Sequence, residues 1–151
     1  MIREAITEDL PQILALSQKL FLDPSSSSDK FADSNWPLSE VGKEAFKGAL
    51  HDGFLWVTAE DSAVVGFICA EGSPLVDWRP IRRVELLSFY IEPEYRSSGV
   101  GAALVQELIK WAKQKEARTV FVSAYADNDK GIDFYRKMGF KDESLQLEKE
   151  I

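Results

Sequence analysis

The strongest constraint on this chain is a strand-like run, a glycine turn and a helical run in direct succession. Residues Arg83 to Ile91 make the longest stretch of strand character, and Glu92-Pro93 stops it. Arg96-Ser97-Ser98-Gly99-Val100-Gly101-Ala102-Ala103 follows. From Val100 to about Glu116, Ala102, Val105, Leu108, Ile109 and Ala112 then share one side of a predicted helix. Thr119 to Ala126 is again apolar and strand-like. Two buried strands joined through a helix run parallel, and such a crossover is right-handed. The chain is therefore predicted to be an α/β domain built around that unit.

The remaining segments fit around it. Met1 to Ile6 reads as a short edge strand, with Thr7 as N-cap of a helix carrying Leu10, Ile13, Leu14, Ser17, Leu20 and Phe21 on one stripe. That helix is expected to stop near Asp23-Pro24, and the serine run Ser25 to Ser28 opens a mobile loop reaching Pro37. A second helix is predicted from Ser39 to about Leu50. Phe54 to Ala59 and Ala63 to Ala70 form a hairpin across Glu60-Asp61-Ser62, and Glu71 to Pro80 is a second loop. Lys130 to Met138 is a short helix closed by Gly139, and Leu145 to Ile151 is expected as a last strand. The expectation is one domain over residues 1–151: a mixed twisted sheet with helices on both faces, in the order β-α-α-β-β-β-α-β-α-β.

Composition removes several functional classes. At 151 residues the chain has the size of one compact domain that buries a core without staples. Its single cysteine excludes an internal disulfide, and one cysteine with one histidine gives no zinc-ligand set, so no metal is expected. A net charge of −7 is the wrong sign for a nucleic-acid binder. No apolar stretch approaches bilayer length, which argues against a membrane partner, and the N-terminal residues show no signal pattern. A cytoplasmic location is expected.

The glycine turn carries the functional signal. A helix that starts directly after a strand leaves its first N–H groups unpaired, and with the helix dipole they form an anion site suited to phosphate. Gly99 and Gly101 allow close approach, Ser97 and Ser98 offer hydroxyl donors, and Arg96 offers positive charge at the rim. The nucleotide P-loop would need Gly-Lys-Ser/Thr where this chain has Gly101-Ala102-Ala103, and the dinucleotide fingerprint needs a small residue where it has Leu104. Arg-x-x-Gly-x-Gly after a strand is what remains. It resembles motif A of the GCN5-related N-acetyltransferase (GNAT) superfamily, which clamps the pyrophosphate of acetyl-coenzyme A. Asn128 followed by Phe134-Tyr135-Arg136-Lys137-Met138-Gly139-Phe140 resembles the second signature of that family, with Gly131 where alanine is commoner. The opening Ile2-Arg3-Glu4-Ala5 and Thr7-Glu8-Asp9-Leu10 is similar to many members as well.

The resemblance implies a GNAT fold, acetyl-CoA as donor and an amine as acceptor. Arg96, Ser97, Ser98, Gly99, Val100, Gly101 and Ala102 would hold the pyrophosphate. The backbone of Phe89, Tyr90 and Ile91 would pair with the pantetheine arm, as an added strand does, and Asn128 would hydrogen-bond it. Tyr135 would protonate the leaving thiolate. An alkylamine is mostly protonated at neutral pH and needs a base before it can attack. Glu85, in the strand before the turn, is the candidate, with a solvent-facing glutamate paired to Arg82 or Arg83 as the plainer alternative. For Tyr135 the alternative is a core residue of the last helix. Trp36 and Trp78, with Asp33 and Asp77, lie in loops where the family builds its acceptor pocket; Glu71 is a further carboxylate there. Cys69 reads as a small buried hydrophobe and His51 as a helix-end residue. The expected function is transfer of an acetyl group to a primary amine by direct attack in a ternary complex, with a small cationic acceptor. A protein lysine or N-terminus as acceptor, and an acyl-CoA sensing domain without catalysis, are the alternatives. Family members often dimerise, so a homodimer is admitted.

Overall fold

The computed structural model describes residues 1–26 and 29–151, so Ser27 and Ser28 of the expected mobile loop lie outside the described residues. Five strands form one sheet in sequence order: β1 (Ile2–Glu4), β2 (Phe54–Glu60), β3 (Ala63–Ser73), β4 (Arg83–Ile91) and β5 (Thr119–Val122). The first three pairings are antiparallel, and β4–β5 is parallel. The sheet is mixed, as expected from one crossover among hairpins.

Four helices cover it: α1 (Leu10–Leu22), α2 (Glu40–Asp52), α3 (Val100–Gln114) and α4 (Asp129–Lys137). Strand alternation sends successive side chains to opposite faces, which divides the core in two. Leu55, Val57, Phe67, Cys69 and Tyr90 pack under α1 and α2 with Ile13, Leu14 and Phe46. Phe54, Ile68, Ala70, Val84, Leu86 and Ile91 pack under α3 with Leu104, Val105 and Leu108. Burying a side chain such as Leu108 stabilises the fold by about 1.5–3 kcal/mol. Trp56 and Trp111 join this second layer, both flanking Phe54.

Three expectations change. Thr7 does not cap α1: it opens a short 3-10 turn, and Asp9 stands at the N-cap. The reason is Arg3, which grips the Asp9 carboxylate with two bonds of 2.7 and 2.9 Å while Ile6 N–H donates to it at 2.9 Å. The strand expected to reach Ala126 ends at Val122. Leu145 to Ile151 carries no strand. Leu145 and Leu147 stand in solvent, so the weak alternation has no face to bury, and charge holds the tail instead through Glu143–Arg79 and Glu150–Lys30. The helix of the second prediction does form, with Ser39 Oγ accepting from Gly42 N–H as its cap.

Candidate active site

The site is created where β4 parts from β5. Pairing between them runs from Arg83–Thr119 to Leu86–Val122 and stops there. On the other side, Cys69 pairs with Ser88 and Ala70 with Leu86, so Leu87 is an extra residue in β4. A bulge of this kind bends a strand and ends regular pairing. The outer edge of β4 from Leu87 to Ile91 therefore has no strand beside it, which leaves backbone groups free for an extended ligand. Phe89, Tyr90 and Ile91, the expected pantetheine-pairing residues, lie on this open stretch.

The glycine turn stands at the end of that edge. Gly99, at φ 86°, is the N-cap of α3, and Ser97, at φ 63°, shares the left-handed region that glycine tolerates best. A Cβ on Gly99 would meet open space, so nothing of the chain covers the helix start. The first return bond of α3 is Ala103 N–H to Gly99 C=O, at 3.1 Å. The N–H groups of Val100, Gly101 and Ala102 precede it and fit an anion, as the first turn of any helix does. Gly101 brings this turn close to the strand, since a Cβ there would lie 3.4 Å from Phe89 and Ile91 and 3.5 Å from Phe134.

Two side chains of the turn are engaged inward. Ser98 Oγ donates to Tyr95 C=O at 2.7 Å. Arg96 donates from Nε to Ile91 C=O at 2.7 Å and from Nη2 to Asp23 at 3.3 Å, with its guanidinium 5.2 Å from the centre of the Tyr90 ring. The charge expected at the rim is thus also a tie between the turn, the strand exit and α1.

Helix α4 supplies the opposite wall. Asn128 Oδ1 caps it by accepting Gly131 N–H at 3.0 Å, so its amide NH2 is the part left for a ligand. An alanine at 131 would place its Cβ within 2.5–2.8 Å of the Asn128 side chain. Phe134 packs on Phe89 at 5.7 Å, and Tyr135 meets Phe134 and Phe140 edge-on. Burial pushes the Tyr135 hydroxyl up to about 12, which keeps it protonated. It is both a packed residue of α4 and an available acid.

Glu85 lies on the other face. Val84 and Leu86 point into the α3 layer, so alternation turns Glu85 toward the α1–α2 side, directly across from Glu71 on β3. It pairs with neither arginine: Arg83 lies 3.9 Å from the Phe121 ring centre, donates to Thr119 Oγ1 and meets Glu143. Trp36 packs on Phe21 at the end of α1, while Asp33 accepts Asn35 N–H in a turn. Asp77 and Trp78 stand exposed at the tip of the β3–β4 connection, and the structure shows no contact joining them to Trp36. Cys69 is buried, and burial pushes its thiol up to about 12. No group of three metal-ligating side chains comes together among the described residues, and no helix among them is long and apolar enough to cross a membrane.

A helix N-terminus open to anions, beside a strand edge open to an extended arm, defines a domain built to hold a phosphorylated carrier. Comparison with known proteins gives the class a family. Residues 11–140 match the Acetyltransferase (GNAT) family, and the chain belongs to it. It is 27% identical to an uncharacterised N-acetyltransferase of Methanocaldococcus jannaschii over 62% of its length and 41% of that protein. The same identity to the L-methionine sulfoximine/L-methionine sulfone acetyltransferase of Pseudomonas paraeruginosa extends over 93% of the chain and 79% of the relative. The first three curated relatives are covered over only 28–59% of their own length. Among solved structures, the BH1408 protein of Bacillus halodurans superposes with a TM-score of 0.85 at 17% identity, covering 100% of this chain and 99% of that one. The complex of AAC(6')-Iy with the bisubstrate analogue CoA-S-monomethyl-acetylneamine gives 0.73 at 18% identity, covering 100% and 97%. Both have the same fold.

Proposed function

We propose that this domain is an acetyl-CoA-dependent N-acetyltransferase that moves an acetyl group to a primary amine within a ternary complex. The observation that carries the reading is the open β4 edge leading to the free N–H groups of α3. The turn from Arg96 to Ala102 would hold the pyrophosphate, the backbone of Phe89 to Ile91 the pantetheine arm, and the Asn128 amide a carbonyl along it. When bound, the coenzyme supplies the acyl group as a reactive thioester.

The chain's own residues do the rest. Glu85 accepts the proton of the incoming ammonium and leaves the amine able to attack. Tyr135 holds a proton at neutral pH and is positioned to return one to the departing sulfur. The two sit on opposite faces of the sheet, and the β4–β5 gap connects those faces. The acceptor enters from the α1–α2 side and the coenzyme from the α3–α4 side.

A small cationic amine suits the acceptor side. Glu71 and Glu85 face each other across β3 and β4, and like charges in that arrangement repel. An ammonium between them relieves that repulsion. Trp36, Trp78, Asp33 and Asp77 complete the proposed surround. The relatives include the spermidine N(1)-acetyltransferase of Thermoplasma acidophilum, 34% identical over 54% of this chain and 46% of that protein.

Calorimetric titration with acetyl-CoA, with ATP and NAD as controls, tests the cofactor. Saturable heat from acetyl-CoA alone is expected. Thiol release with a panel of polyamines, aminoglycosides and lysine peptides then tests transfer. Binding without release from any amine identifies a sensing domain instead.

A further inference from the structure

We infer that Asp23 is a positioning residue for the coenzyme turn, acting through Arg96, an inference that rests on the coenzyme reading above. Asp23 closes α1 at its C-terminal end, where the helix dipole disfavours a carboxylate. The helix end gives no reason for an acid there, so its partners must. It is mostly buried, accepts Ser25 N–H at 2.9 Å and Ser25 Oγ–H at 2.6 Å, and takes Arg96 Nη2 at 3.3 Å. One carboxylate thus fixes the start of the α1–α2 connection and the arginine that opens the glycine turn.

Arg96 is suited to transmit this. With Nε on the last carbonyl of β4 and its plane near Tyr90, its only free rotation is one that would break the Asp23 contact. A second tie lies beside the first: Lys19 of α1 pairs with Glu92, which also accepts from Tyr90. The end of α1 is therefore fastened to both sides of the strand exit. Asp23 reaches the turn itself, while Lys19 reaches only the residue before Pro93. The position of residues 97–101, and so the aim of the α3 N–H groups, depends on Asp23 although it need not touch the coenzyme.

A double-mutant cycle reads this directly. Acetyl-CoA affinity is measured by titration calorimetry for the wild type, Asp23→Asn, Arg96→Gln and the double variant, with a thermal melt of each. Asp23→Asn is expected to weaken binding three- to tenfold, and the double variant to bind no worse than Arg96→Gln alone. Asp23→Glu, which keeps the charge, is expected to recover most of the loss. Losses that multiply in the double variant, or a lowered melting temperature with unchanged affinity, overturn the inference. A wild type that does not bind acetyl-CoA overturns the coenzyme reading and this inference together, and that outcome is distinct from binding that is insensitive to Asp23.

Discussion

Tyr135 and Cys69 show how one physical cause gives opposite consequences in two side chains. Burial pushes both up to about 12. For a proton donor that is an asset, because the hydroxyl stays loaded throughout the working range. For a nucleophile it is disabling, since at pH 8 only about one Cys69 in ten thousand is a thiolate. The Tyr135→Phe variant keeps the edge-on packing with Phe134 and Phe140 and loses only the proton. A fall in kcat of about a hundredfold is expected, with acetyl-CoA affinity unchanged by calorimetry. Unchanged kcat would leave Tyr135 as a packing residue alone. The identity of Tyr135 as a candidate was legible in Phe-Tyr-x-Lys-x-Gly-Phe. The inward engagement of Arg96 was not, because its partners Ile91 and Asp23 are brought to it by the strand exit and by a helix 73 positions away in sequence.

At the scale of elements, the ends decide. Gly131 sits in the first turn of α4, where alanine would gain about 1 kcal/mol in helix propensity. The same Cβ would displace Asn128 from its cap, at a cost of about 1 kcal/mol. The two cancel, so Gly131→Ala is expected to melt near the wild-type temperature yet bind acetyl-CoA more weakly, since Asn128 must swing away. Equal affinity would remove Asn128 from the coenzyme site. At the start of α1, the Arg3 guanidinium holds the Asp9 carboxyl below the usual carboxylate range. A depressed pKa stabilises the fold above the unfolded value near 4, and the stabilisation is lost as pH falls through the folded value. Asp9→Asn should be less stable by about 2 kcal/mol at pH 7, with the gap to wild type closing toward pH 3 in denaturant melts. A gap independent of pH would show that the pair contributes no charge-linked stability. The crossover β4–α3–β5 was legible because its residues are apolar at strand and helix spacing. The bulge at Leu87, the early end of β5 and the missing last strand were not. Each depends on whether a neighbouring strand or layer is present to complete the pairing.

At the scale of the whole molecule, the mixed sheet separates the reactants. The coenzyme side is built on α3, α4 and one face of β4, and the acceptor side on α1, α2 and the other face. Sequence shows both candidates, Glu85 and Tyr135, but alternation and the position of the bulge place them on opposite faces. The two faces communicate at the gap beyond Leu86. A covalent relay would need a nucleophile there, and Cys69, the single thiol of the chain, is buried beneath α1 and α2 with its proton firmly held. Both substrates must therefore be present together for transfer. Initial rates measured against acetyl-CoA at several fixed amine concentrations should give double-reciprocal lines that intersect, and Cys69→Ala should retain activity. Parallel lines would mean that the acetyl group rests on the protein between two half-reactions, and the division of the sheet into a donor face and an acceptor face would then not describe the catalytic path.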